Sequence, residues 1–172
     1  ARDFEISYVQ DFEIPSGTIT LRGRADLVER LDDESLAITD LKTGRPPSNK
    51  QVTSGLEPQL PLLAILASNG KASGRDDQPA MNGDVTELFY FGLGTKAGAQ
   101  NLSDGRNGAP VPELVGEAES GFLSLMEQYA DPSQPYLSGP RVKFLSRFGD
   151  YDRLARRGEW GDAGAEPGGD DA

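Results

Sequence analysis

Two aspartates and a lysine near the start of the chain have the types and spacing that metal-assisted phosphodiester hydrolysis requires. Asp40 and Lys42 are two residues apart, so on a β-strand both side chains emerge on the same face. Asp26 precedes them in another strand-like segment. Two close carboxylates repel each other unless a cation bridges them, and a divalent ion with oxygen ligands suits them. A nearby lysine can stabilise charge developing on a phosphate or position a water molecule.

A hairpin is the element that brings Asp26 to the other two. Residues 18–31 form a predicted strand, residues 32–35 a connection, and residues 36–42 a second strand that is partly buried on both faces. Two registers are open, with Asp26 opposite either Asp40 or Lys42, and in either case the β-carbons would be about 4.5–5.5 Å apart. The apolar side of the first strand consists of Ile19, Leu21, Gly23, Ala25 and Leu27.

An Asp-x-Lys pattern also occurs in exposed strands as solvated surface charge. Here its neighbours Ile38 and Leu41 are apolar, which favours an interior strand. Charges in such a strand need a partner or a metal ion.

The remaining elements predict a central mixed sheet with helices against it, an α/β (α+β) fold. Apolar residues all round predict a buried helix at 58–68, and an amphipathic helix is predicted at 112–129. The helix at 112–129 has a stripe of Leu114, Ala118, Phe122, Leu125, Met126 and Tyr129. The other predictions are strands at 4–14 and 85–94, polar loops at 68–84 and 95–110, a short helical piece at 151–157 and a disordered acidic tail at 161–172.

Composition excludes several kinds of site. The 172 residues include no cysteine and no histidine, so disulfides, thiolate zinc sites and Ser–His–Asp triads cannot form within this chain. A metal here must have oxygen ligands, which favours Mg²⁺ or Mn²⁺ over zinc. Without a visible signal peptide or membrane-length apolar run, we expect no membrane contact and a cytoplasmic location. Because the chain starts at Ala1, we expect it to be part of a longer protein.

The net charge of −11 argues against a free-standing nucleic-acid binder. The charge is uneven, however, because residues 141–157 contain six basic side chains and two acidic ones. Two interpretations of this cluster stay open: a solvated basic helix, or a contact with DNA or a partner subunit.

The motifs together resemble a known family. The resemblance lies in three segments: Gly23-Arg24-Ala25-Asp26, then Leu36 to Gly44 with its Asp-Leu-Lys-Thr-Gly ending, then Gln59-Leu60-Pro61-Leu62. Through these segments the chain resembles the PD-(D/E)xK nuclease superfamily, and more closely its RecB-like exonuclease domains. The segment Phe148 to Arg156 resembles the C-terminus of alphaproteobacterial-type AddB double-strand-break repair proteins. The resemblance implies a restriction-endonuclease-like fold, with residues 1–160 as the nuclease domain.

The resemblance also implies roles for particular residues. Asp26, Asp40 and the backbone carbonyl of Leu41 would be ligands of Mg²⁺, with Mn²⁺ as a substitute, and Lys42 would be the catalytic lysine. Gln59 would orient the site or contact DNA, although an ordinary polar residue at a helix start is the alternative interpretation.

Three departures from the family pattern affect these expectations. An aromatic residue is usual where this chain has Leu63, and the absence of cysteine excludes the iron–sulfur cluster of some relatives. The family takes a further acidic or histidine ligand from an upstream helix, but Glu5 and Glu13 lie in strand-like or turn sequence. We therefore expect that helix to be missing from this fragment, which alone would hold metal weakly and cut poorly.

The resemblance implies an exonuclease domain of an AddAB-type helicase–nuclease that processes broken DNA ends for recombination. Its partners would be single-stranded DNA tails and an AddA-like helicase–nuclease subunit. The alternatives are a non-catalytic structural or DNA-guiding module of the same complex and, less favoured, a free-standing exonuclease.

Overall fold

The computed structural model describes residues 1–73, 81–94, 97–104 and 107–135. Ala1–Asp131 form one compact unit, and Pro132–Ala172 form a second, of which residues 132–135 are described. The predictions for residues 141–172, namely the basic cluster, the helical piece, the domain boundary and the acidic tail, lie outside the described residues. In the described part of the chain, no helix is both long and apolar enough to cross a membrane.

A six-stranded mixed sheet forms the centre of the first unit, with helices packed against it, and this confirms the predicted fold class. The strands are β1 (Arg2–Ile14), β2 (Gly17–Arg30), β3 (Leu36–Lys42), β4 (Lys71–Ser73), β5 (Val85–Gly92) and β6 (Gly98–Asn101). Their order across the sheet is β4-β1-β2-β3-β5-β6. Strand β3 is central, antiparallel to β2 and parallel to β5, so the strand that bears Asp40 and Lys42 is covered at both edges.

Helix α2 (Gln59–Asn69) confirms the predicted buried helix, and it packs against five of the strands. It follows α1 (Asn49–Thr53) and precedes α3 (Val111–Ala130). Gly23 on β2 permits a close approach of α2, because a Cβ there would lie 2.8 Å from the Cδ2 atom of Leu63. The buried residues of α2 are Leu60, Pro61, Leu63, Ala64, Ile65, Leu66 and Ala67.

Strands β1 and β2 change their buried face at one point along their hairpin. The buried residues on either side of that point are Asp3 and Ile6 on β1 and Ala25 and Val28 on β2. Glu5 has a φ of 56°, in the left-handed region that non-glycine residues seldom adopt, and the strand skips one step of its alternation there. The predicted alternation is therefore confirmed up to Ala25 and is wrong at Leu27, because Val28 takes the buried side. Asp26 lies at this change of face.

The turn before β3 is fixed by short polar contacts. Asp33 Oδ1 accepts hydrogen bonds from the Ser35 backbone N–H at 3.0 Å and from Ser35 Oγ at 2.5 Å. These contacts hold the pKa of the Asp33 carboxyl below its ordinary value. The predicted connection at 32–35 is confirmed, and β3 begins at Leu36.

The polar loops predicted at 68–84 and 95–110 are partly wrong, because β4 and β6 lie within them. Strand β4 pairs with β1 and β6 with β5, so both are short edge strands without the alternation that reveals a half-buried strand. Strand β6 also holds the segment that follows β3. Gln100 Nε2 donates to the Pro47 carbonyl at 2.9 Å and to Asn49 Oδ1 at 2.8 Å.

Helix α3 confirms the amphipathic helix predicted at 112–129, with one correction to its stripe. Its first turns bury Val111 and Leu114, and the Phe122 ring contacts the Phe12 ring edge-on at a centroid distance of 5.4 Å. Leu125 does not belong to the packed stripe, since it is 44% exposed. The next residue, Met126, is partly buried and lies on the packed face of α3 instead.

Candidate active site

Asp40, Lys42 and Gln59 form a closed group in which each side chain contacts the other two. Lys42 Nζ lies 3.0 Å from Asp40 Oδ2 and donates a hydrogen bond to Gln59 Oε1 at 2.8 Å. Gln59 Nε2 donates to Asp40 Oδ1 at 2.5 Å. Strand β3 supplies the ion pair, and the first residue of α2 supplies the amide that contacts both partners. The side chains of Asp40 and Lys42 share one face of the strand, as their spacing predicts.

Asp26 joins this group through the main chain of β3. The pairing of β2 with β3 runs up to Leu27 opposite Thr39, and one further step of that register puts Asp26 opposite Asp40, the first of the two expected registers. Beyond that last pair, Asp26 Oδ2 accepts a hydrogen bond from the Leu41 N–H at 2.8 Å. The side chain of Asp26 is thereby fixed where the two strands part.

Burial dominates the electrostatics of Asp40. Asp40 is almost fully buried, with 4% of the residue surface exposed. Loss of hydration on burial has the largest effect and raises the pKa of the Asp40 carboxyl, and the nearby Asp26 charge also raises this pKa. The hydrogen bond and the charge of Lys42, and the hydrogen bond of Gln59, lower this pKa. The net effect is a pKa above its ordinary value. Burial thus disfavours the charged form of Asp40, and a cation next to the carboxylate would stabilise that form.

Ile38 and Leu41, the two apolar residues that predicted an interior strand, differ in their burial. Positions 36–40 are buried on both faces, in agreement with the prediction, but Leu41 is 40% exposed. The interior part of the strand therefore ends at Asp40. The main chain at Leu41 lies at the margin of the buried group.

Tyr90 on β5 is a further member of the site that the sequence interpretation missed. It is the register partner of Asp40 in the parallel pair of β3 and β5, and it is fully buried. Lys42 Nζ lies 5.5 Å from the centroid of its ring. The predicted strand at 85–94 is rich in aromatic residues, but only the order of the strands in the sheet shows that one of them, Tyr90, lies beside Asp40.

The donor atoms fit a hard divalent cation. The carboxylates of Asp26 and Asp40 and the carbonyl of Leu41 are all oxygen ligands, and Mg²⁺ is commonly held by one or two carboxylates while it keeps several waters. Asp40 Oδ2 is buried and has no hydrogen-bond partner among the described residues, although the Lys42 ammonium lies 3.0 Å away as an ion-pair partner. These residues could therefore hold such an ion.

Among the described residues, no third acidic ligand joins them. Within the described ranges, no group of three or more Asp, Glu, His or Cys side chains is placed to hold a metal. Glu13 accepts hydrogen bonds from Thr18 across the β1–β2 hairpin, and the exposed Glu5 lies 3.9 Å from Arg24. The segment before Thr18 is strand β1, as its strand-like pattern predicts.

A recess borders the group on the side of β2. Arg22, Gly23 and Arg24 line it together with Gln59 and the leucines at 62, 63 and 66 of α2. Leu63, where an aromatic residue was expected from the resemblance, is buried against Gly23. The recess therefore lies between the 22–24 segment of β2 and the amide that contacts Asp40 and Lys42, while the exposed side chains of Arg22 and Arg24 alternate with Gly23 and point to the opposite face of the strand.

The comparison with protein families agrees with this geometry. The sequence profile of the PD-(D/E)XK nuclease superfamily matches residues 1–141, a range that contains Asp26, Asp40, Lys42 and Gln59. The chain belongs to the PD-(D/E)XK nuclease superfamily. Members of this superfamily are generally nucleases that hydrolyse phosphodiester bonds and typically use divalent metal ions.

Other comparisons add little to the superfamily assignment. No curated protein matches the chain. The crystal structure of SSO0001 superposes with a TM-score of 0.41 and 12% sequence identity, over 69% of this chain and 50% of that one. The match thus spans half the length of SSO0001, and a likeness of this extent carries no argument about function.

Proposed function

We propose that this chain is a Mg²⁺-dependent exodeoxyribonuclease domain that acts on single-stranded DNA tails at double-strand breaks, as part of an AddAB-type helicase–nuclease. The observation that carries the nuclease part is the closed contact group of Asp40, Lys42 and Gln59, with Asp26 fixed beside it. A surface charge pair would need neither a buried carboxylate nor an amide that contacts both partners.

Each residue of the group has a role in the proposed hydrolysis. Asp26, Asp40 and the Leu41 carbonyl would hold the metal ion, which supplies a more acidic bound water and neutralises charge on the phosphate. Lys42 would offer its ammonium to the phosphate oxygen that gains negative charge. Gln59 keeps that ammonium in place through its Oε1 atom and the Asp40 carboxylate through its Nε2 atom.

The recess beside Gln59 supports a nucleic-acid substrate. Arg22 and Arg24 of the neighbouring β2 segment are exposed on the strand face opposite to Gly23, and guanidinium groups pair well with phosphate oxygens. Leu62, the half-buried leucine that the recess takes from α2, offers an apolar surface for an unstacked base. A single strand that entered along this recess would reach Gln59 first and then the ion pair.

The assignment to an AddAB-type complex rests on the resemblance of Phe148 to Arg156 to AddB proteins, and it is the finer part of the proposal. Such a complex would supply most of the DNA contacts, which accommodates the net charge of −11. An AddA-like subunit would supply ATP-driven unwinding. The work of such a complex on the chromosome would take place in the cytoplasm.

A non-catalytic DNA-guiding module is the second candidate. The observation in its favour is the absence of a third acidic ligand among the described residues. It predicts that the chain binds DNA in the complex and that loss of Lys42 leaves cleavage unchanged.

The test uses the full-length parent protein with its partner subunit. Degradation of end-labelled single-stranded DNA in Mg²⁺ is compared for the wild type, Lys42→Ala and Lys50→Ala, with ATP hydrolysis and unwinding measured in parallel. Lys50 is an exposed lysine of α1 outside the contact group, which makes it a matched control.

Loss of one set of cuts in Lys42→Ala, with unwinding retained and Lys50→Ala unaffected, supports the proposed nuclease. An unchanged cleavage pattern in Lys42→Ala contradicts it and favours the guiding module. Cleavage that depends on Lys42 but occurs without any partner subunit would contradict the AddAB-type assignment alone.

A further inference from the structure

The contacts of Lys42 come from three directions, and one of them is aromatic. Asp40 and Gln59 contact the ammonium with oxygen atoms at 3.0 and 2.8 Å. The face of the Tyr90 ring lies 5.5 Å from Nζ, within the roughly 6 Å at which a cation is attracted to an aromatic ring. A lysine side chain is long and flexible, so such a contact restricts where its charge can lie.

The hydroxyl group of Tyr90 makes no hydrogen bond among the described residues. The residue is fully buried, and its hydroxyl oxygen has no hydrogen-bond partner among the described residues. A buried tyrosine usually has such a partner; Tyr8, for comparison, donates to the Met81 carbonyl at 2.7 Å. The ring is therefore the part of Tyr90 that makes the specific contact.

The parallel pairing of β3 with β5 fixes this contact. Asp40 and Tyr90 are register partners, and Lys42 pairs with Gly92 two residues further along. Gly92 has no side chain, so the lysine has room to extend over β5.

From this geometry we infer that Tyr90 is a positioning residue that holds the Lys42 ammonium over its ring. The catalytic consequence rests on the proposed nuclease function, whereas the contact itself does not. The aromatic ring of Tyr90, and not its hydroxyl group, holds the Lys42 ammonium in position.

Three variants separate the ring from the hydroxyl and from general packing. Tyr90→Phe keeps the ring, Tyr90→Leu removes it, and Phe89→Leu removes an aromatic ring from the adjacent position of β5, which points to the other face of the sheet. For the cleavage of a single-stranded oligonucleotide by the full-length protein in its complex, Tyr90→Leu is expected to lower kcat about tenfold with KM little changed. Tyr90→Phe and Phe89→Leu are expected to stay close to the wild type.

A second readout does not depend on catalysis. When the ε-carbons of the lysines in the full-length protein are labelled with ¹³C, the NMR signal that is missing from Lys42→Arg is the one from Lys42. In the wild type and in Tyr90→Phe, the ring should shift the ε-proton signals of Lys42 upfield. In Tyr90→Leu they should return to the position of an exposed lysine.

Each outcome decides the inference. Unshifted Lys42 signals in the wild type, or signals unchanged by Tyr90→Leu, would overturn it. If Tyr90→Leu does not fold, the wild-type and Tyr90→Phe shifts decide it. If the complex cleaves no DNA, the proposed function fails, while the NMR signals still report on the contact. A loss of kcat in Tyr90→Phe equal to that in Tyr90→Leu would show that the hydroxyl acts instead.

Discussion

The carboxylate of Asp26 accepts a hydrogen bond from the main-chain N–H of Leu41 at 2.8 Å. This contact lies just beyond the last residue pair of β2 and β3, so a side chain continues the connection between the strands where the main chains part. It fixes one carboxylate of the proposed nuclease site relative to the strand that bears the other. The Asp26 side chain therefore has a structural contact in addition to its proposed role as a ligand.

These two roles of Asp26 can be separated by substitution. Asp26→Asn keeps an oxygen that can accept from Leu41, whereas Asp26→Ala leaves that N–H without its partner. We expect Asp26→Ala to lower the free energy of unfolding by about 1 kcal/mol more than Asp26→Asn, and both variants to lose nuclease activity. Urea unfolding followed by circular dichroism measures the difference. Equal stability of the two variants would contradict the structural role of the contact.

Gln59 is expected to matter for catalysis through the two residues that it contacts. Gln59→Leu removes both hydrogen bonds, and the loss of comparable supporting contacts around metal sites lowers activity by about 10- to 100-fold. The exposed Gln128 of α3 provides a control in Gln128→Leu. Single-turnover cleavage rates of the two variants would be compared. Gln59 would be an ordinary polar residue at a helix start if both variants cleaved at the wild-type rate.

The Lys42–Asp40 ion pair should oppose metal binding. A metal ion at Asp40 shares that carboxylate with the ammonium, and the two cations repel each other. We expect Lys42→Met to tighten Mn²⁺ binding by about tenfold, which corresponds to a modest Coulomb energy at a partly exposed site, and to abolish cleavage. Isothermal titration calorimetry without DNA measures the affinity. Weaker binding in Lys42→Met would mean that the lysine supports the metal site instead of competing with it.

Alkaline pH should destabilise the fold through Tyr8. Burial raises the pKa of its hydroxyl to about 12, and the Asp3 charge adds to this effect. Because the folded-state pKa is above the unfolded value, the stabilisation is fully present below pH 10, the ordinary pKa of tyrosine, and is lost as the pH rises toward 12. Tyrosinate absorbance and circular dichroism, recorded together, should show Tyr8 ionising only as the sheet unfolds. Ionisation of every tyrosine near pH 10 in a folded protein would contradict the buried placement.

The sequence predicted those parts of the site that depend on periodicity. The two-residue spacing of Asp40 and Lys42 required a shared face, and the apolar run after Pro58 required a buried helix with Gln59 at its start. The contact of Gln59 with both members of the ion pair was not predictable, because it depends on the angle at which α2 meets the sheet.

Other parts of the fold depend on relations that no local pattern contains. Tyr90 contacts Lys42 because β5 lies parallel to β3, and strand order across a sheet is a long-range property. The change of buried face at Asp26 follows from the left-handed conformation of Glu5, and glutamate is not a residue type that indicates this conformation. The edge strands β4 and β6 are short and lack alternation, so main-chain pairing alone defines them.

The most direct test of the metal-dependent nuclease site is an anomalous diffraction measurement on crystals of the full-length protein soaked in Mn²⁺. The structure predicts a peak that is coordinated by carboxylate oxygens of Asp26 and Asp40 and by the Leu41 carbonyl, and that disappears in Asp40→Asn. If crystals soaked at a Mn²⁺ concentration that supports DNA cleavage show no anomalous peak at these residues, the proposed metal site is contradicted.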